Sequence, residues 1–250
     1  MLLFYFSGTG NSLYIAKRIC DKPIPIPAVN KNEKQSYKDD AIGFVFPCYS
    51  FEVPRLVSEF IMKNDFQADY FFAVASYGNM LGCTLNEFDN IAKRKNISIN
   101  YYNSVLTIDN FLPLFSIEKQ LKKEPTKKTE EKIAQIVEDI NNLKNNILEK
   151  AKISHLIIKK IIKLVNLNHN SKLDKYFSIN DNCNKCGICV KLCPQNNILK
   201  DEGNIKYLHN CCLCLSCIHN CPQKAIHLIF ERGKLRYRNP HVKIEEFFNR

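Results

Sequence analysis

A doubly wound α/β sheet followed by a small cysteine-rich α+β module is the fold class this sequence predicts. Three observations predict it. Short apolar runs alternate with amphipathic helical patterns through the first half, one strand candidate is loaded with prolines, and nine of the 12 cysteines fall between Cys183 and Cys221. With 250 residues and 45% apolar content, the chain has enough material for two cores.

The strand candidates are 2–6, 41–46, 70–75 and 102–106, and helical patterns lie near 11–20, 54–63 and 83–95. Alternating strands and helices imply a parallel sheet covered on both faces. A further candidate, Pro23-Ile24-Pro25-Ile26-Pro27, lacks the N–H groups a central strand needs and so belongs at a sheet edge. That suits the order 2-1-3-4-5, in which the second strand is an edge and a ligand sits where the order reverses, between the ends of strands 1 and 3. From Thr129 to about Leu148 apolar positions recur at helical spacing, behind Glu130 and Glu131 in the first turn. Ile153 to Leu167 repeats the pattern with Lys152, Lys159, Lys160 and Lys163 but no acid. We expect a helix packing one domain on the other, with a membrane-surface helix as the less favoured reading. The division is 1–150, a sheet domain; 151–174, a basic helical linker; and 175–250, the cysteine-rich domain with a tail.

Lys and Arg outnumber Asp and Glu by 36 to 25, giving a formal charge of +11. Such a charge favours anionic partners, but no nucleic-acid motif accompanies it. The first apolar run breaks at Ser7 without a basic start, and no stretch reaches membrane-spanning length, so a cytoplasmic protein is expected. In that compartment thiols stay reduced and a thiol-rich site holds metal or does chemistry.

Residues 183–194 and 211–222 both read C-x2-C-x2-C-x3-C-P, and the match extends to Asn182 with Asn210, Gln195 with Gln223 and Ile198 with Ile226. This internal duplication has the spacing of bacterial [4Fe-4S] ferredoxins, in which the fourth Cys of each run ligates the other cluster. The crossed assignment gives Cys183, Cys186, Cys189 and Cys221 to one cluster, and Cys211, Cys214, Cys217 and Cys193 to the second. Cys212 aligns with Asn184 and is read as a non-ligand. Two zinc ions are the alternative, but zinc sites use paired C-x2-C hooks without the third Cys and the Cys-Pro. Hairpins are expected at 201–204 and 231–234.

Ser7-Gly8-Thr9-Gly10-Asn11-Ser12 follows a strand and opens a helix, where N–H groups and the helix dipole attract an anion. Without Gly-Lys-Ser/Thr it is no Walker loop, and Leu13 replaces the third Gly of a dinucleotide fingerprint. A hydroxyl-rich cradle for a terminal phosphate remains, with an ordinary capped turn as the alternative. The loops after strands 3 and 4, Pro47-Cys48-Tyr49-Ser50-Phe51 and Ser76-Tyr77-Gly78-Asn79-Met80, adjoin it, so Tyr49, Phe51 and Tyr77 could flank a planar ring. Cys20, Cys48 and Cys83 have no ligand spacing and read as packing residues.

These motifs resemble the small clostridial-type fusions of a flavodoxin-like domain with a two-cluster ferredoxin, over about residues 1–150 and 175–240. The resemblance implies that Ser7, Thr9, Gly10, Asn11 and Ser12 bind the phosphate of FMN. It places the ring among Pro47, Tyr49, Ser76, Tyr77 and Gly78. Flavodoxins often stack a Trp on the ring, and this chain has no Trp. The expected function is electron transfer between two [4Fe-4S] clusters, FMN and an external, acidic redox partner, with no catalytic residue assigned. A flavin-dependent reductase of a quinone or nitro compound, and a redox or oxygen sensor, are the competing readings.

Overall fold

The computed structural model describes residues 1–30, 33–165 and 170–248. The first half forms β1 (Leu2–Tyr5), α1 (Asn11–Ile19), β2 (Ile24–Pro25), α2 (Ile26–Val29), β3 (Ser36–Lys38), β4 (Ala41–Pro47), α3 (Arg55–Lys63), β5 (Asp65–Gln67), β6 (Tyr70–Tyr77), α4 (Thr84–Lys93) and β7 (Tyr101–Leu106). The main sheet is parallel with spatial order β2-β1-β4-β6-β7, which is the doubly wound 2-1-3-4-5 order of a flavodoxin-like fold. The proline-rich strand is the edge, as its missing donors require.

Successive strand residues serve opposite faces. Phe4, Phe6, Phe44 and Phe46 pack toward Leu56, Phe60 and Phe88 of α3 and α4, while Leu3, Tyr5, Val45 and Val74 pack toward Leu13, Ile15, Ile133 and Ile136. Beyond the edge, β3 pairs with β5 in a two-stranded parallel ribbon that carries Tyr37 and Phe66 onto Phe4 and Phe60. The sequence reading had no strand there.

Next come α5 (Ile117–Lys123), α6 (Thr129–Asn141), α7 (Ile153–Val165), β8 (Phe177–Ile179), α8 (Ile188–Leu192), β9 (Ile198–Asp201), β10 (Asn204–Tyr207), α9 (Ser216–His219) and β11 (Ile226–Leu228). Helix α6 stops at Asn141, short of the expected Leu148. The asparagines that follow compete for backbone partners. Asn146 accepts a hydrogen bond from the N–H of Tyr102 (2.8 Å), donates to its carbonyl (2.7 Å) and donates its own N–H to the carbonyl of Asn100 (3.0 Å), covering the open edge of β7.

Helix α7 forms as expected, although its expected end at Leu167 lies outside the described residues. Of its apolar stripe, Ile153 and Ile157 are 76% and 55% exposed. Its hold on the sheet domain is polar and aromatic, through Lys159 with Glu87 (3.0 Å) and Glu52 (3.8 Å) and through His155 beside Phe51.

In the cysteine-rich part, β9 and β10 form the expected hairpin, turning at Glu202 and Gly203, both with positive φ. The expected hairpin at 231–234 does not form. Instead β11 pairs antiparallel with β8, ahead of the first run. Glu231 turns the chain there, accepting the N–H of Leu228 (2.7 Å) and pairing with the buried Arg236 (2.9 Å). The tail then crosses back, and Val242 and Phe247 are buried among Leu13, Ile15 and Ala16.

Candidate functional site

A cavity of about 350 Å³ opens where the C-terminal ends of β1, β4, β6 and β7 meet the cysteine-rich part. Ser7, Thr9, Asn11, Ser12, Pro47, Tyr49, Ser76, Tyr77 and Gly78 all line it, as does Phe51. Gly10 does not. It caps α1 with φ of 102°, and a Cβ there would collide with Asn239 and Val242 of the tail. Its N–H donates to Ser7 Oγ at 3.0 Å.

The lining contains no Lys, Arg or His and a single carboxylate, that of Asp109. A phosphate there would be met by hydroxyls, amides and the α1 terminus. Tyr49, Phe51 and Tyr77 are the aromatic side chains from the loops after β4 and β6 in the lining. Burial pushes the Cys48 thiol up to about 11, so it stays protonated and serves as packing, held by the Thr84 hydroxyl at 3.0 Å.

Two elements of this site carried no signal that the sequence reading used. The loop after β7, Thr107 to Phe115, supplies Asp109 and Asn110, at the same sheet edge as the loops after β1, β4 and β6. The second is the far wall, Cys212-Leu213-Cys214-Leu215, contributed by the second cysteine run.

A chain of hydrogen bonds ties the loop after β1 to that run. Asn110 Nδ2 donates to Thr9 Oγ1 (2.6 Å), and the Asn110 carbonyl accepts from His219 Nε2 (2.8 Å). His219 Nδ1 accepts the N–H of Tyr237 (3.1 Å), which fixes the proton on Nε2. Tyr237 completes the circuit by donating its hydroxyl to Asn11 Oδ1 (2.7 Å), and Asn239 Nδ2 donates to the same oxygen (3.2 Å). Every member is buried or nearly so, which makes the network costly to break at any point.

The cysteines gather around two further cavities, and their membership is crossed between the runs. One is lined by Cys183, Cys186, Cys189 and Cys221 within a shell of Ile179, Ile188, Ile205 and Ile226. The other is lined by Cys193, Cys211, Cys214 and Cys217, with Cys212 and Leu215. Electrostatics divides them the same way. Burial first, then Cys221, Cys183 and Cys186, push Cys189 up to about 11. Burial, then Cys214, Cys211 and Cys193 ahead of Cys189, raise Cys217. Thiols so buried and crowded carry charge cheaply only around a cationic core, so the donor sets fit iron-sulfur clusters.

The duplication extends to the backbone. Lys185, Gly187 and Asn196 of the first run have positive φ, and so do their equivalents Leu213, Leu215 and Lys224 in the second. Such alternation turns successive N–H groups to one side, a concavity suited to anionic sulfur. Asn197 N–H donates to Cys193 Sγ (3.2 Å) and its equivalent Ala225 N–H to Cys221 Sγ (3.4 Å), so each fourth cysteine is aimed alike.

Residues 177–199 match the family described as 4Fe-4S binding domain. The first run, 183–194, therefore lies within a segment similar to that iron-sulfur binding family. No curated protein matches the chain. Among solved structures, a Bacteroides uniformis ATCC 8492 protein proposed to be a flavoprotein is 18% identical, covering 48% of this chain and 94% of its own, with a TM-score of 0.35. The Trp repressor binding protein from Bacillus subtilis is 12% identical, covering 61% and 99%, also at 0.35. The flavodoxin-like assignment accordingly rests on the strand order. Among the described residues no helix is long and apolar enough to cross a membrane.

Proposed function

We propose that this chain is an electron-transfer protein holding two [4Fe-4S] clusters and one FMN, and passing electrons between them and an external redox partner. The observation that carries the reading is the sharing of one wall: Cys212, Cys214 and Leu215 line both the second cysteine cavity and the cavity at the sheet edge. A cluster held by Cys211, Cys214, Cys217 and Cys193 would lie next to FMN. The cluster held by Cys183, Cys186, Cys189 and Cys221 would lie on the far side, where Cys186 is exposed.

That arrangement supports a series order: partner, outer cluster, inner cluster, flavin. Clusters pass single electrons and a flavin accepts one or two, which is the chemistry FMN would supply. Ser7, Thr9, Asn11 and Ser12 would hold its phosphate, with Gly10 setting the loop from behind. Tyr49, Tyr77 and Gly78 would border its ring, and Pro47 and Ser76 the strand ends beneath. Lys185 lines the outer cavity and is exposed, and so suits an acidic partner. Reduced thiols suit a cytoplasmic setting.

The test is reduction by an external one-electron carrier in anaerobic stopped flow. In the intact protein, cluster bleaching should precede flavin bleaching. A variant lacking Cys214 should keep FMN but lose its reduction by the carrier. Flavin reduced at an unchanged rate in that variant would contradict the series order. The exposed Leu114 and Met80 at the cavity mouth, 60% and 47% accessible, favour a second reading, a reductase of a small apolar acceptor. Saturating turnover of a quinone would distinguish it.

A further inference from the structure

Electrons arriving one at a time account for only part of a flavin's reduction, because the reduced ring also needs a proton. Neither cysteine cavity can supply it. The other titratable side chains lining the sheet-edge cavity are the thiols of Cys48, Cys212 and Cys214 and the phenols of Tyr49 and Tyr77, of which Cys48 and Tyr77 are pushed up by burial. Asp109 is the lining's only carboxylic acid.

Its placement is specific. Asp109 lies against Gly78, so closely that a Cβ on residue 78 would overlap its side chain. Gly78 belongs to the loop we assign to the ring, and a side chain there would separate the carboxyl from it. One carboxyl oxygen, Oδ1, accepts the N–H of Phe111 at 3.1 Å, which fixes the group's orientation. Behind it stands Lys127, whose Nζ donates to the carbonyls of Gly78 (3.3 Å) and Thr107 and to Gln120 Oε1 (3.2 Å), and so makes no ion pair with the acid.

We propose that Asp109 supplies the proton when the flavin in this cavity is reduced. The inference rests on the FMN reading above. The balance is oxidised flavin plus two electrons plus one proton. The electrons come from the clusters, each transfer oxidising one cluster by one electron. The O–H bond of Asp109 breaks, an N–H bond forms on the ring, and the carboxylate regains a proton from water. A carboxyl whose proton burial holds more tightly is suited to this, since negative charge arriving on the ring favours its protonated form further. Burial raises Asp109 to about 6, against smaller opposing effects from the Phe111 N–H and Lys127. Of the neighbouring charged or titratable groups, Cys48 feels the charge of Asp109, while Glu124 and Lys123 act on Lys127 and not on the acid itself.

The experiment is anaerobic stopped flow of flavin reduction by prereduced clusters between about pH 5 and pH 8, in the holoprotein and in Asp109→Asn, an isostere that keeps the Phe111 N–H acceptor, with the solvent deuterium isotope effect read at each pH. In the unsubstituted protein the rate should fall as pH rises through about 6, where the donor loses its proton, and the step should carry an isotope effect. In Asp109→Asn that pH dependence should vanish and the reduction should slow by roughly a hundredfold or more, with cluster content unchanged. The unsubstituted profile stands alone if the variant does not fold: a rate independent of pH across 6 overturns the proposal. A pH dependence that persists in the variant also overturns it, while leaving the FMN reading intact. A protein that binds no flavin at all overturns both.

Discussion

The carbonyl oxygen of Cys214 occupies the place a Cβ on Gly8 would take, with the Tyr49 hydroxyl 3.0 Å from the same point. Gly8 sits in the loop after β1 and Cys214 in the second cysteine run, so the absence of one side chain lets the two meet at their backbones. A carbonyl held by its own loop cannot rotate away as a flexible side chain can. Gly8→Ala should therefore force the loops apart, lowering stability by about 1–3 kcal/mol and slowing flavin reduction through the clusters. Thermal unfolding and anaerobic stopped flow measure the two effects. Unchanged values for both would show that the contact is not tight in solution.

The crossing of the cysteine sets gives a second test. Cys221 belongs to the second run by sequence but lines the cavity of the first. Cys221→Ala should lower bound iron from about eight to about four per chain and spare the cluster of Cys211, Cys214 and Cys217. The equivalent Cys193→Ala should spare the other. The spectra of the two half-loaded proteins should differ, and the opposite pairing of loss and retention would rule out the crossed assignment.

Much of this architecture is legible in the residues themselves. Prolines at 23, 25 and 27 exclude a central strand, and with that edge fixed the rest of the order follows. The cysteine spacing carries its own pairing, because a Cys-Pro after three closely spaced thiols leaves the run it belongs to. What was not legible depends on contacts remote in sequence. The helical pattern through Leu143 and Ile147 is real, yet Asn146 finds better partners on the edge of β7, and Ile147 ends up 95% exposed. Glu231-Arg232-Gly233-Lys234 has hairpin composition, but Arg232 instead bonds to the carbonyls of Leu112 and Pro113. His219 occupies an unspecified position of the second cysteine run and Tyr237 lies outside any motif, and only the folded chain brings them to Thr9 and Asn11.

That remote network yields a third prediction. Tyr237→Phe removes the hydroxyl donated to Asn11 and leaves a buried amide oxygen with one remaining donor, Asn239. The cost should be about 1–2 kcal/mol in stability, and FMN affinity should fall roughly tenfold as the phosphate loop loosens. Flavin fluorescence titration reads the affinity directly, and a loss of stability without any loss of affinity would detach the tail from the site.

A fourth prediction concerns pH. Asp109 ionises at an ordinary 3.8 in the unfolded chain and at about 6 in the fold, because burial opposes its charge. Below about pH 4 the group is protonated in both states and makes no difference. As pH rises from about 4 to about 6 the unfolded chain has released its proton and the folded one has not, so the fold loses up to about 3 kcal/mol, a loss complete above pH 6. Asp109→Asn is neutral throughout, so in flavin-free protein its advantage over the parent should grow between about pH 4 and pH 6 and stay constant above. Parallel thermal-stability profiles for the two proteins would contradict this.

Composition of the isolated protein is the most direct check on the central claim, that two crossed cysteine sets cage iron beside a flavin. Anaerobic purification followed by iron, sulfide and flavin analysis should return about eight iron, about eight sulfide and one FMN per chain, with a brown solution whose spectrum bleaches on reduction. Zinc in place of iron and sulfide, or a colourless protein, would contradict the account.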